Sequence, residues 1–363
     1  MIIIKDKKDC VGCAACYNRC PKKCITMEAD EEGFLYPKVD LDSCVNCGLC
    51  EEVCPVLRLP AKRPVRKVYG CMNKEDSVRD KSTSGGYVSV ISENILSKGG
   101  VVFGAAYDED FSVHHICVET KEDLAKLRGS KYAQSRIEDT FKLVKKYLLE
   151  NRQVLFSGTP CQIAGLRRFV GKEYDNLFLV DVVCHGVPSP KVYKKLLAEV
   201  EDSMGEKITY VNFRDKRTGW KTCSFVIKGA TKEVVRSKQE SLYMKAFLRG
   251  MSIRPSCYAC RYNNEHSSAD ITVADYWGVE TKFPELKDEV GITLVMINTL
   301  KGSKMFKELE DKARIIETDF EHAAENNFAI KHVSTPHENR AAFFGEIWDK
   351  PLEEVIEKLI NTK

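Results

Sequence analysis

Apolar residues recur along the chain in two rhythms. Alternating or continuous short runs predict strands at Phe34–Val39, Val101–Tyr107, Val154–Ser157, Leu177–Val183, Ile208–Phe213, Cys223–Ile227, Ile271–Ala274 and Ile292–Ile297. Helical spacing predicts helices at Val88–Ser97, Ile137–Glu150, Val192–Met204 and Ser241–Gly250, the first stopped by Gly99-Gly100. Some neighbouring strands have no helical crossover between them, so the pattern predicts an α/β body with a mixed sheet. The stretch PVLRLPAKRPVRK at 55–67 breaks the rhythm with three prolines and five basic residues and reads as an extended linker. Its basic side chains make it a possible dock for an acidic electron carrier or a solvated spacer. The chain thus divides into a head at 1–57, a linker at 58–67, a body at 68–300 and a C-terminal helical extension at 301–363.

A length of 363 residues suits more than one structural unit, and 43% hydrophobic with 30% charged residues suits a globular core. The net charge of +3 is too small to suggest nucleic acid as a partner. No uncharged stretch approaches the roughly 18 residues of a membrane span, and the apolar start Met1–Ile4 is too short for a secretory signal. A cytoplasmic protein without a membrane span is expected.

Sixteen cysteines change the picture. Thiolates are the ligands that iron–sulfur clusters and zinc prefer, and spacing separates the two. Cys10, Cys13, Cys16 and Cys20 follow C-x2-C-x2-C-x3-C with Pro21 behind them, and Cys44, Cys47, Cys50 and Cys54 repeat the run with Pro55. That is the bacterial two-cluster ferredoxin pattern, in which the fourth cysteine of each run serves the other cluster. Crossed ligation follows: Cys10, Cys13, Cys16 and Cys54 around one [4Fe–4S] cluster, and Cys44, Cys47, Cys50 and Cys20 around the second. Gly12 and Gly48 sit inside the loops. A structural zinc array is the competing reading, and Cys24 reads as a buried thiol. The head is therefore expected to be an α+β ferredoxin-like unit.

Several body segments carry chemistry rather than packing. Ser82-Thr83-Ser84-Gly85-Gly86 precedes a helix, where it is either a phosphate loop or an ordinary cap. Arg128–Ser135 contains Gly129, Ser130, Lys131, Tyr132 and Gln134, a loop able to stack on a ring and bond its heteroatoms, or simply a polar surface loop. Ser157-Gly158-Thr159-Pro160-Cys161-Gln162 and Cys184-His185-Gly186 follow apolar strands, where α/β sheets bind ligands. Cys257 and Cys260 form a C-x2-C pair, and Ala274–Gly278 closes a strand. Cys161, Cys184, Cys257 and Cys260 together could hold a third [4Fe–4S] cluster. The alternatives are buried core thiols, or zinc at the pair with His266. Tyr276 and Trp277 read as core, and Cys71, Cys117 and Cys223 as structural thiols.

At STSGG, RGSKYAQS, SGTPCQIAGL, CHGVPSP, CYAC and ADYWG the chain resembles the coenzyme F-420 hydrogenase/dehydrogenase beta-subunit family, preceded by a ferredoxin domain. The resemblance covers roughly 68–300 plus the head. It implies FAD and a nearby [4Fe–4S] cluster, hence an α/β flavin-binding domain. Ser84, Gly85 and Gly86 would meet the FAD phosphates. Lys131, Tyr132 and Gln134 would line the flavin ring, with Gly129, Ser130, Thr159 and Pro160 beside them. Cys161, Cys184, Cys257 and Cys260 would hold the third cluster. Clusters pass single electrons and a flavin exchanges two, so the expected activity is an FAD-dependent iron–sulfur oxidoreductase. It would join ferredoxin or another redox protein to a small-molecule two-electron substrate. Lys131, His185 or Asp275 would supply a proton. The competing reading is an electron-transfer subunit with no flavin and no substrate of its own.

Overall fold

A computed structural model describes residues 1–263, 267–286 and 288–360. In the head, β1 (Ile25–Ala29) and β2 (Leu35–Val39) form an antiparallel hairpin, and short helices cover Ala15–Arg19 and Leu49–Glu52. Cys20 and Cys54 come just after these helices, so each fourth cysteine is carried away from its own loop.

The body contributes β3 (Lys67–Asn73), β4 (Val101–Tyr107), β5 (Val113–Val118), β6 (Val154–Gly158), β7 (Leu177–Val182), β8 (Tyr210–Asp215), β9 (Ser224–Lys228), β10 (Glu233–Ser237), β11 (Ile271–Asp275), β12 (Thr293–Ile297) and β13 (Ala313–Thr318). Eight of them build one mixed sheet in the order β13-β3-β12-β11-β7-β6-β4-β5. Its centre, β4, β6, β7 and β11, is parallel, and both flanks are antiparallel. The central strands are mostly apolar because helices cover both faces. Val154, Phe156, Leu177 and Leu179 point toward the helices Thr140–Leu149 and Pro160–Val170. Leu155, Phe178 and Val180 point toward the helices Tyr87–Ser97 and Leu300–Glu308. This is the period of two expected of a pleated strand. A separate antiparallel sheet, β8-β9-β10, completes the body.

Three expectations need correction. The strand expected at Ile208–Phe213 lies at Tyr210–Asp215, where it pairs with β9. The C-terminal extension is not only helical: Ala313–Thr318 joins the main sheet as an edge strand against β3. The linker is not free, since Arg63 pairs with Asp270 at 3.0 Å and with Glu173 at 3.0 Å. Among the described residues, no helix is long and apolar enough to cross a membrane.

The head is fastened to the body by buried polar contacts. Arg254, fully buried, donates from Nε to the Cys10 carbonyl at 2.8 Å and from Nη2 to the Leu35 carbonyl at 2.9 Å. Its Nη1 donates to Gln134 Oε1 at 2.9 Å, and its face lies 4.2 Å from the Tyr36 ring centroid. Gly12, at φ +69°, is pressed so closely under this guanidinium that a Cβ would sit 2.9 Å from Arg254 Nη1. Arg340 forms a two-bonded ion pair with Glu32 at 2.8 and 2.6 Å. Phe34 at the hairpin tip is buried in the core that holds Val192 and Tyr193.

Candidate functional site

The head gathers its cysteines in two groups. Burial pushes the Cys13 thiol well up, and Cys16, Cys54 and Cys10 lie close enough to push it further. Cys20, Cys44, Cys47 and Cys50 line a second hollow with Cys24. Cys24 is less isolated than a structural thiol, its sulfur lying 3.3 Å from Cys20 Sγ. Burial opposes ionisation of Cys20, but contacts from Cys24 and the amides of residues 22–24 outweigh it and hold its pKa low. All sixteen cysteines are unpaired.

The body groups four more. Burial pushes Cys184 far above the ordinary thiol range, with Cys257, Cys161 and Cys260 adding to the shift. Burial likewise pushes Cys161 up to about 11 and Cys257 up to about 12. Amides of Gly186, Val187 and Tyr262 bond Cys184, Cys257 and Cys260 respectively. Thr159 Oγ1 lies 3.2 Å from Cys161 Sγ. Buried thiolates need a positive partner, and amide donors aimed at sulfur suit an iron–sulfur group. His266 lies outside the described residues.

The local sequence explains the placement of Cys161. Thr159 and Gln162 form a capping box, and Pro160 opens the helix Pro160–Val170, so Cys161 stands in its first turn at the end of β6. One turn on, Gly165 meets the head: a Cβ there would sit 2.8 Å from both Cys13 Cβ and Cys13 Sγ. A single helix face therefore touches a head thiol and carries a body thiol.

Beside Cys161 and Cys184 opens a cavity of about 590 Å³, within the range of about 300–1,000 Å³ that holds cofactors. Ser84, Gly86, Gly129, Ser130, Lys131, Tyr132, Gln134, Thr159 and His185 line it. The two loops meet where Thr83 Oγ1 and Ser130 Oγ lie 3.1 Å apart. Gly85 faces away from it: a Cβ would sit 2.2 Å from the Cys71 carbonyl oxygen, so it serves the approach of the loop to β3. Pro160 acts as helix starter. Ser84 Oγ donates to the Ile292 carbonyl at 2.7 Å. Gln134 lines the cavity, yet its amide is committed to Val11 and Arg254.

Lys131 Nζ donates to the carbonyls of Arg128 at 3.0 Å and Gly129 at 3.2 Å, and burial pulls its pKa down to about 7. His185 Nε2 donates to the Leu248 carbonyl at 3.1 Å, and burial lowers its pKa. Asp275 accepts from Arg214 Nη1 at 2.9 Å and Trp220 Nε1 at 2.8 Å, so both its oxygens are engaged as acceptors.

Arg214, in β8, carries no local sequence signal but belongs to the site. It is 9% exposed, lines the cavity, and among the described residues its Nε and Nη2 have no hydrogen-bond partner. Those two nitrogens are sealed from solvent, so what the guanidinium offers the cavity wall is its positive charge, which suits an anionic group. Lys216 braces the STSGG loop by donating to the Ser84 carbonyl at 3.0 Å, and burial lowers its pKa to about 8. Trp277 packs against the core and also lines the cavity, stacked on Trp220 with centroids 4.7 Å apart. Tyr276 is core. Cys223, read as structural, also lines the cavity.

Comparison with known proteins matches residues 68–142 to the family described as coenzyme F420 hydrogenase/dehydrogenase, beta subunit N-term, and residues 151–323 to its C terminus. Residues 9–57 match the 4Fe-4S dicluster domain. The chain belongs to the coenzyme F420 hydrogenase/dehydrogenase beta-subunit family. The coenzyme F420-dependent sulfite reductase of Methanocaldococcus jannaschii is 26% identical over 326 residues, covering 85% of this chain and 47% of that protein. A subunit of the F(420)H(2) dehydrogenase of Methanosarcina mazei is 26% identical over 171 residues, covering 44% of this chain and 47% of that protein. The chain thus spans about half the length of these curated relatives. A chain in a solved structure of the F420-reducing [NiFe] hydrogenase complex of Methanosarcina barkeri overlays with a TM-score of 0.49 at 18% identity, covering 75% of this chain and 89% of that one.

Proposed function

We propose that this chain is an iron–sulfur flavoprotein oxidoreductase that moves electrons between a one-electron protein donor and a two-electron substrate. The observation that carries the reading is the order of the thiol groups. The head group meets the Pro160–Val170 helix at Gly165, and the body group begins one turn earlier at Cys161, on the wall of the cavity.

In this reading Cys10, Cys13, Cys16 and Cys54 hold one cluster, and Cys44, Cys47, Cys50 and Cys20 a second. Cys161, Cys184, Cys257 and Cys260 hold a third beside the cavity. Cys47 is exposed, with the apolar side chains of Leu41 and Val45 also exposed nearby in sequence, so the second cluster is the contact point for a ferredoxin-like partner.

FAD fits the cavity by volume, by its small-residue loops and by the positive charge of Arg214 in its wall. A bound flavin supplies the exchange between single electrons and a hydride. The chain's own residues then have distinct tasks. Arg214 orients an anionic portion of the ligand, held in place by Asp275. Thr83 and Ser130 join the loops that exclude water. Lys131, with a pKa of about 7, holds a proton it is able to give near neutrality. His185 has its Nε2–H engaged with a carbonyl, which makes Lys131 the better acid. The names of the relatives put coenzyme F420 first among substrates to assay.

Protein purified without air tests the reading. About one flavin is expected to be released per chain on denaturation, along with about twelve irons for three cubanes. Full iron without flavin would instead establish an electron-transfer subunit lacking its own substrate.

A further inference from the structure

Between the two inner thiol groups stands Tyr262. Its side chain is 3% exposed and packs in the apolar cluster that contains Cys13, Cys161 and Cys260. Its amide donates to Cys260 Sγ at 3.4 Å. Its hydroxyl is buried and has no hydrogen-bond partner among the described residues. Among the described residues, thiols from both sides act on that hydroxyl: Cys13 and Cys54 of the head, Cys161 and Cys260 of the body.

A buried phenol without an acceptor is destabilising, and native interiors rarely keep one. A trapped water is a poor remedy here, because it needs two to four polar partners of its own and these walls are thiols and apolar side chains. Among the described residues, sulfur is the acceptor this surrounding offers.

We infer that Tyr262 is a positioning residue whose hydroxyl donates a hydrogen bond to a sulfur of the iron–sulfur groups meeting at the head–body junction, and so sets the redox step between them. The inference rests on the three-cluster reading above. No covalent bond changes: one electron leaves the reduced cluster and arrives on its oxidised neighbour. A donor aimed at sulfur favours the more negative, reduced state, so the cluster that receives this bond has the higher potential. The residue carries no motif and is legible only once both thiol groups are seen around it.

The test is Y262F in the full chain, loaded and handled without air. Removing only the hydroxyl keeps the ring and its packing. Iron is expected to stay at about twelve per chain. The midpoint potential of one cluster is expected to fall, lowering its reduced-to-oxidised ratio at fixed potential about fivefold, the effect of one ordinary hydrogen bond. In wild-type protein, magnetic resonance of the reduced clusters in light and heavy water is expected to reveal an exchangeable proton that Y262F lacks. Unchanged potentials and an unchanged proton signal at about twelve irons would overturn the inference alone. Loss of iron in Y262F would also overturn it, by assigning the hydroxyl to holding the fold. About eight irons in the wild type would overturn the three-cluster reading, and the junction with it.

Discussion

Lys131 has a buried ammonium held by backbone carbonyls, and burial pulls its pKa to about 7. If it gives the proton, the two-electron step is fastest when it is protonated and slows as pH rises through about 7. K131M is expected to lower that step about a hundredfold and to abolish the slope, read in single-turnover pH profiles. Arg254 makes a different demand. R254M would strand the carbonyls of Cys10 and Leu35 and the amide of Gln134, at a cost of about 3 kcal/mol, measured by chemical denaturation. The contrast between these residues and the cysteines explains what was legible. The cysteines proposed as cluster ligands follow a spacing, because a cubane dictates how far apart its loop can place them. Arg214, Arg254 and Tyr262 answer to tertiary neighbours, so nothing local marks them.

At the scale of elements, the strands buried on both faces were readable as apolar runs, as β6, β7 and β12 illustrate. The edge strands were not. β13 alternates with charge, and β5 carries two histidines, one of them His115, buried beside Ser135. The helix Pro160–Val170 reads in sequence only as a loop after a strand, although Thr159-Pro160 is a helix start, and the role of Gly165 was not readable because the neighbour it admits comes from the head. G165A is expected to cost about 1–3 kcal/mol through overpacking on Cys13, and to slow electron transfer from head to body at unchanged iron, followed by rapid mixing. In β7, Asp181 is fully buried; burial raises its pKa to about 7 although Ser267 and Thr272 donate to it. The folded state therefore binds this proton more tightly than the unfolded state. Its contribution to stability is complete below about pH 4 and is lost as pH rises to about 7. Denaturation of D181N at about pH 5 and about pH 8 is expected to lack that loss when set beside the wild type.

Across the whole molecule, the head is clamped rather than tethered. Arg254, the Arg340–Glu32 pair and the buried tip residue Phe34 fix its thiols against one helix of the body. The sheet in turn brings the ends of β6, β7 and β11 to one edge, where the body cysteines and the cavity meet, as ligand sites in α/β folds do. In the proposed reading, electrons entering at the head have a fixed route to the cavity. The direct test is rapid anaerobic mixing of the reconstituted chain with a reduced ferredoxin, following the cluster and flavin bands separately, in wild type and C257S. The wild type is expected to reduce its clusters and then its flavin. C257S is expected to lose about four irons, keep its head clusters reducible, and leave the flavin oxidised. Flavin reduction at the wild-type rate in C257S, with iron unchanged, would contradict this route.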